Sequence, residues 1–312
     1  MSIENSYFLE NIELDFPVLT ITGTCRSGKT LIGKLLGTCN QTEYADEPYT
    51  CMMLPMIVKS GKINEEFAIG WMRANIRELF NDLVHLRSVN FRSEDLSSIW
   101  SMKSPEEIFA RMTSIKTRGD ASAFAKRNNS HLVVTLSESM PFIEFIIKAI
   151  PHIKFINVVR DPFAVAKDLV AKKWFSDEQL KNPLMAQLYC VHEHLGSNWY
   201  MPWWVDDEEH EYFIKLSEYD RGMYYWWSLM NKGLKSIYST KCDMIQISYE
   251  ELIKNPKYVF ENLINILNFS PGPLTYQKLS EVRSEDYTNL RISIDQELEN
   301  RILKLKEKIN EK

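Results

Sequence analysis

Gly23-Thr24-Cys25-Arg26-Ser27-Gly28-Lys29-Thr30 fits the pattern GxxxxGK[ST] in full. Glycines at both ends let a backbone curl until several N–H groups point at one anion. A helix opening at Lys29 adds the partial positive charge of its N-terminus. Arg26 and Lys29 add full charges, and Thr30 adds a hydroxyl. Such a loop binds a phosphate or a group shaped like one. A second set of chemical residues is acidic. Glu47 is a candidate general base, with Glu43 and Asp46 as neighbours that compete for the role. Arg160 follows an apolar run and precedes Asp161-Pro162, which puts a cation where a strand gives way to a helix.

Elements of alternating type must position these groups. Val18 to Thr22, Leu132 to Leu136 and Phe155 to Val159 are short apolar runs, and Met244 to Ile247 is a weaker fourth. Their consecutive apolar residues predict strands buried on both faces of a parallel sheet. Helical patterns cover Thr30 to Leu36, Glu65 to Arg87, Pro141 to Ile150, Phe163 to Lys172 and Tyr219 to Tyr238. The expectation is one α/β domain over 1–312, a parallel sheet flanked by helices, with the loop after its first strand. A helical insertion is expected at about 50–130, and an aromatic and acidic one at about 174–218. Asp295 to Lys312 reads as an exposed charged helix.

Composition bounds the rest. The 312 residues are 45% hydrophobic and 25% charged, enough for a sizeable core. Lys and Arg number 37 against 42 Asp and Glu, a net charge of −5 that argues against a nucleic-acid coating protein. Five cysteines without a CxxC pair argue against a disulfide framework or structural zinc, and fit a reducing, cytoplasmic setting. No run reaches the roughly 18 apolar residues of a membrane helix. His192-Glu193-His194 lacks a third ligand, so no metal site is expected.

The core Arg26-Ser27-Gly28-Lys29-Thr30-Leu31 resembles the RSGTTL loop of sulfotransferases. Three more stretches follow in that family's order. Tyr44-Ala45-Asp46-Glu47-Pro48 resembles its "EP" turn. Phe155 to Pro162 resembles its strand followed by RDP. Ile247 to Leu252 with Asn255-Pro256 resembles its late "YEdL…nP" motif. Together they span most of the chain. The resemblance implies a P-loop-like α/β fold and transfer of a sulfuryl group from 3′-phosphoadenosine 5′-phosphosulfate (PAPS), leaving adenosine 3′,5′-bisphosphate, with no metal required. The acceptor would be a hydroxyl, or less commonly an amine, on a carbohydrate, lipid-linked or small natural-product molecule. Cys25, Arg26, Ser27, Gly28, Lys29 and Thr30 would hold the donor, with Arg160 and residue 168 at its 3′-phosphate. Glu47 would be the base, with Arg26 and Lys29 stabilising charge.

Three departures from the family pattern stand out. Asp168 replaces a serine that touches the 3′-phosphate. Thr135-Leu136-Ser137-Glu138-Ser139 lacks a lysine common in a "KsP"-like turn. Lys29 replaces a threonine inside the loop and would take over the leaving-oxygen role. The same departures support two other readings, an ATP- or GTP-dependent P-loop kinase or NTPase and an inactive nucleotide-binding protein. On the acceptor side, Trp199, Trp203 and Trp204 are read evenly as an aromatic platform or as core. Trp226 and Trp227 read as core, and Asp206 to Glu211 as a solvated run.

Overall fold

A computed structural model describes residues 14–87, 89–95, 97–184, 192–193, 198–283 and 294–310. Strands β1 (Val18–Thr22), β2 (Thr42–Ala45), β3 (His131–Thr135), β4 (Lys154–Val159) and β7 (Met244–Ser248) form one sheet in the order β2-β3-β1-β4-β7. Every neighbouring pair is parallel, with Leu19 opposite Val133 and Ile21 opposite Ile156. A separate ribbon pairs β5 (His192–Glu193) with β6 (Tyr200–Met201). His194 of the His192-Glu193-His194 stretch lies outside the described residues.

Parallel strands need crossovers, and helices supply them. These are α1 (Lys29–Gly37), α2 (Tyr49–Lys59), α3 (Glu65–Val84), α4 (Pro105–Ser114), α5 (Arg118–Arg127), α6 (Ile143–Ala149), α7 (Pro162–Ala171), α8 (Glu218–Thr240), α9 (Tyr249–Lys254), α10 (Pro256–Leu267) and α11 (Gln296–Asn310), with shorter turns between. The expected helical stretch at about 50–130 is α2 to α5 with their connections. Alternation along each strand divides the core in two. Leu19, Ile21, Val133, Ile156 and Val158 pack with Ile32 and Leu36 of α1 and with Phe260 and Ile264 of α10. Val18, Leu132, Val134 and Phe155 pack with Ile143, Leu169 and Trp226 on the other face.

One expectation is corrected and two are refined. α11 is not an exposed helix. Leu298, Ile302, Leu305 and Ile309 are buried at helical spacing and join the cluster that includes α8. Its charges lie on the opposite face, so a count of charges hid a strong apolar stripe. The even reading of the tryptophans also resolves. Trp203 and Trp204 are 5% and 2% exposed and belong to the core. Trp204 packs edge-on against Phe175, Phe213 and Tyr225. Trp199, half-buried, stacks under Lys181 and Arg221. The acidic run is only partly solvated. Asp206 pairs with Lys232 at 2.6 Å, and Glu209 with Arg301 at 2.8 Å.

Among the described residues no helix is long and apolar enough to cross a membrane. Cys25, Cys39, Cys51 and Cys242 are free thiols.

Candidate active site

The phosphate-type loop leaves β1 at the carboxyl edge of the sheet. Its shape demands glycine at two points. Gly23 has φ +141°, and a Cβ there would lie 2.5 Å from the Val158 carbonyl oxygen. Gly28 has φ +94°, and a Cβ there would lie 2.3 Å from the Tyr249 ring. Arg26 also takes a left-handed backbone, φ 64°. α1 then opens with no side-chain cap and no acid in its first turn. Its N-terminal amides therefore present positive potential to whatever the loop holds. Ser27 Oγ is fully buried beneath the loop without a hydrogen-bond partner. Lys29 is 4% exposed, and its Nζ donates to the Thr24 carbonyl at 2.5 Å.

A buried network braces the loop from below. The Cys25 amide donates to the Tyr225 hydroxyl oxygen at 2.7 Å, and that hydroxyl donates to Glu138 Oε1 at 2.5 Å. Cys25 Sγ lies 3.2 Å from the same oxygen. Burial pushes the Glu138 carboxyl above its ordinary pKa, although both hydrogen bonds pull it down. Burial likewise raises the Cys25 thiol well above its ordinary value, so the chemistry of this cysteine lies in its backbone. In the sequence pattern Glu138 stands only in the stretch that lacks the family's lysine. Its place directly after β3, on the same sheet edge as the loop, was the available signal.

The three acids near residue 45 have different surroundings. Glu43 is buried in β2 and takes two hydrogen bonds from Arg111, at 2.6 and 3.0 Å. It faces away from solvent and holds α4 to the sheet. Asp46 accepts from the Tyr44 hydroxyl at 2.7 Å and approaches Thr30 Oγ1 at 3.5 Å, which links the turn to the loop. Burial raises its pKa. Glu47 is exposed, has a left-handed backbone of φ 47°, and accepts a hydrogen bond from Ser137. A side chain with this backbone before a proline is held by its surroundings rather than by its own preference. Beside Asp46 and Pro48 lies a cavity of about 240 Å³, walled in part by Tyr44, Leu79, Leu83 and Ile99.

Arg160 ends the next strand over. Its Nη1 donates to the Arg26 carbonyl at 2.6 Å and to Asp168 Oδ2 at 2.8 Å. The guanidinium lies 4.7 Å from the centre of the Tyr249 ring, and the Trp226 indole donates to the Arg160 carbonyl at 3.0 Å. Arg26 Nε reaches the same Asp168 oxygen at 3.5 Å. Asp161 is not the partner of Arg160. Its carboxylate caps α7 through the Phe163 and Ala164 amides and pairs with Lys306 at 2.9 Å.

The loop residues, Glu47, Arg160 and Asp168 thus lie toward one edge, after β1, β2 and β4, whereas Glu43 is inside β2 and is not among them. Tyr249, directly after β7, joins them and was not singled out beforehand. The loop has the means to hold an anion: a glycine-shaped turn, uncapped helix amides and the side chains of Arg26 and Lys29. Arg160, at the end of β4, is already paired with Asp168. Among the described residues, no group of three or more His, Cys, Asp or Glu side chains could hold a metal ion.

No family model matches the sequence, and no curated protein matches it. Solved structures do. A sulfotransferase domain from the curacin biosynthetic pathway aligns at 13% identity and TM-score 0.51, covering 93% of this chain and 98% of that one. A sulfotransferase domain from the Synechococcus PCC 7002 olefin synthase aligns at 14% identity and TM-score 0.50, covering 94% of each chain. At these identities the likeness is one of fold, and it extends over nearly the whole chain.

Proposed function

We propose that this chain, which has the fold of sulfotransferase domains, transfers a sulfuryl group from an adenosine 5′-phosphosulfate donor to a hydroxyl of a small molecule or glycan. PAPS is the donor of that class implied by the sequence resemblance. The observation that carries the reading is the link between loop and acid turn. Thr30 of the loop meets Asp46, and the next residue is the exposed carboxylate Glu47. An anion grip and a proton acceptor therefore stand side by side.

Sulfuryl transfer needs little covalent help from the protein. As in phosphoryl transfer, charge spreads over peripheral oxygens and builds on the leaving oxygen, so positioning and electrostatics dominate. Glu47 accepts the proton of the acceptor hydroxyl as its oxygen attacks sulfur. The bond from sulfur to the bridging phosphate oxygen breaks in line. Arg26, Lys29 and the α1 amides stabilise the charge left on the phosphate. Free cysteines support a cytoplasmic setting.

A kinase or NTPase is the competing reading, because the loop also satisfies GxxxxGKT. Titration calorimetry separates the two. Adenosine 5′-monophosphate or 3′,5′-bisphosphate should bind without metal. A Mg²⁺-dependent preference for ATP or GTP would replace sulfuryl transfer with nucleotide hydrolysis or phosphorylation.

A further inference from the structure

The sheet grows from β1 through β3 to β2 on one side and through β4 to β7 on the other. Ligands of open parallel sheets lie in the crevice where that growth reverses. Here it opens above β1, with Arg160 closing its β4 side. A nucleotide whose 5′ end rests on the α1 amides has its sugar near this corner. A further phosphate on that sugar would seek Arg160 and Arg26.

Asp168 stands in that place already. Its Oδ2 is 2.8 Å from Arg160 Nη1 and 3.5 Å from Arg26 Nε. The Arg160 side chain is 6% exposed, while Asp168 and Arg26 are 31% and 47% exposed. The carboxylate is thus on the solvent side of a guanidinium that also meets the Arg26 carbonyl and the Tyr249 ring. The other described acids nearby are engaged elsewhere. Asp161 is committed to the α7 cap and Lys306, and Glu250 accepts the Asp161 amide at 2.8 Å. A ligand phosphate must either displace Asp168 or bind against it. Like charges in contact near a protein surface cost well over about tenfold in affinity.

We propose that Asp168 is a specificity-determining residue. It occupies the anion position between Arg160 and Arg26, so the site takes an adenosine 5′-phosphate or 5′-phosphosulfate and discriminates against a second phosphate on the ribose. This rests on reading the loop as a nucleotide site, and it narrows the donor to the member lacking the 3′-phosphate.

Metal-free calorimetry of the full chain with adenosine 5′-monophosphate and adenosine 3′,5′-bisphosphate tests it. The wild type should bind the monophosphate at least as tightly as the bisphosphate. Asp168→Ser should raise the bisphosphate-to-monophosphate affinity ratio about tenfold or more, because a charged hydrogen bond becomes available to the ligand. Asp168→Asn, which keeps the shape without the charge, should move the ratio in the same direction. Both ligands are titrated into the same variant, so a general loss of packing cancels. A wild-type preference of about tenfold or more for the bisphosphate overturns the inference and leaves sulfuryl transfer standing. So does an unchanged ratio in both variants. Failure of both nucleotides to bind overturns the inference together with the nucleotide-site reading.

Discussion

Ser137 donates its hydroxyl to the carboxylate of Glu47. The two residues follow neighbouring parallel strands, β3 and β2, so the sheet itself sets their separation. Glu47 has an unfavourable backbone and an exposed side chain. The hydrogen bond from Ser137 therefore gives the carboxylate a fixed direction that the local chain alone would not.

Glu47→Gln should lower turnover by about 10²–10⁴-fold, the range for loss of a general base. Affinity for adenosine 5′-monophosphate should stay within about threefold, since donor and base are held by different strands. Ser137→Ala should lower turnover less, by about tenfold, because it frees a carboxylate without removing it. Sulfate-transfer assays and calorimetry on the same preparations check both. Undiminished turnover in the Gln variant would remove Glu47 from the role.

Lys29 is buried against the Thr24 carbonyl, so its charge belongs to the loop rather than to solvent. Lys29→Met keeps most of the stem and removes the cation. Turnover should fall by about 10²–10³-fold, the usual cost of one preorganised charge stabiliser. Circular dichroism should show the fold retained. Unaltered turnover would show that Arg26 and the loop amides suffice.

Glu138 gives a pH prediction with a definite sign. Burial raises its folded pKa above the ordinary 4.5. Between the unfolded and folded values, the folded state binds more protons, so stability falls as pH rises through that window. The contribution is complete only below the ordinary value. Glu138→Gln can still accept from Tyr225 and Cys25 but cannot ionise. The variant's melting temperature should therefore gain on the wild type as pH rises above the ordinary carboxyl value. Asp46 titrates with the same sign in both proteins and drops out of the difference. Parallel curves would mean that Glu138 is not protonated preferentially in the folded protein.

Ile302→Ala and Leu305→Ala should each cost about 2–4 kcal/mol in urea unfolding, because both lie in the core beside α8. Lys304→Ala, on the exposed face of the same helix, should stay within about 0.5 kcal/mol. Equal effects at all three positions would contradict the amphipathic packing of α11.

Three strands, and the loop between β1 and α1, were legible because their residues are largely apolar or fixed by glycine; β7 was a weaker signal, and as an edge strand it buries only Ile247 rather than both faces. β2 was not legible. It reads Thr42-Glu43-Tyr44-Ala45, and a glutamate in a buried strand makes sense only with Arg111, 68 positions away. Tertiary neutralisation of that kind leaves no local pattern. The same holds for the partners of Glu138, since Tyr225 lies 87 positions away. Asp168 could be named from its position in the motif, but its pairing with both Arg160 and Arg26 required the fold. α11 was misjudged because charge content was weighed before the spacing of its four buried apolar residues.

The packing of α11 onto α8 also orders events at the ribosome. All five strands of the sheet, which end at Ser248, are translated before the helix that begins at Gln296. Until that helix leaves the exit tunnel, the apolar residues of α8 that pack against Leu298, Ile302, Leu305 and Ile309 have nothing to cover them. The nascent chain thus passes through an interval in which its sheet is complete and one flank is sticky. A holdase chaperone would recognise it during that interval and not afterwards.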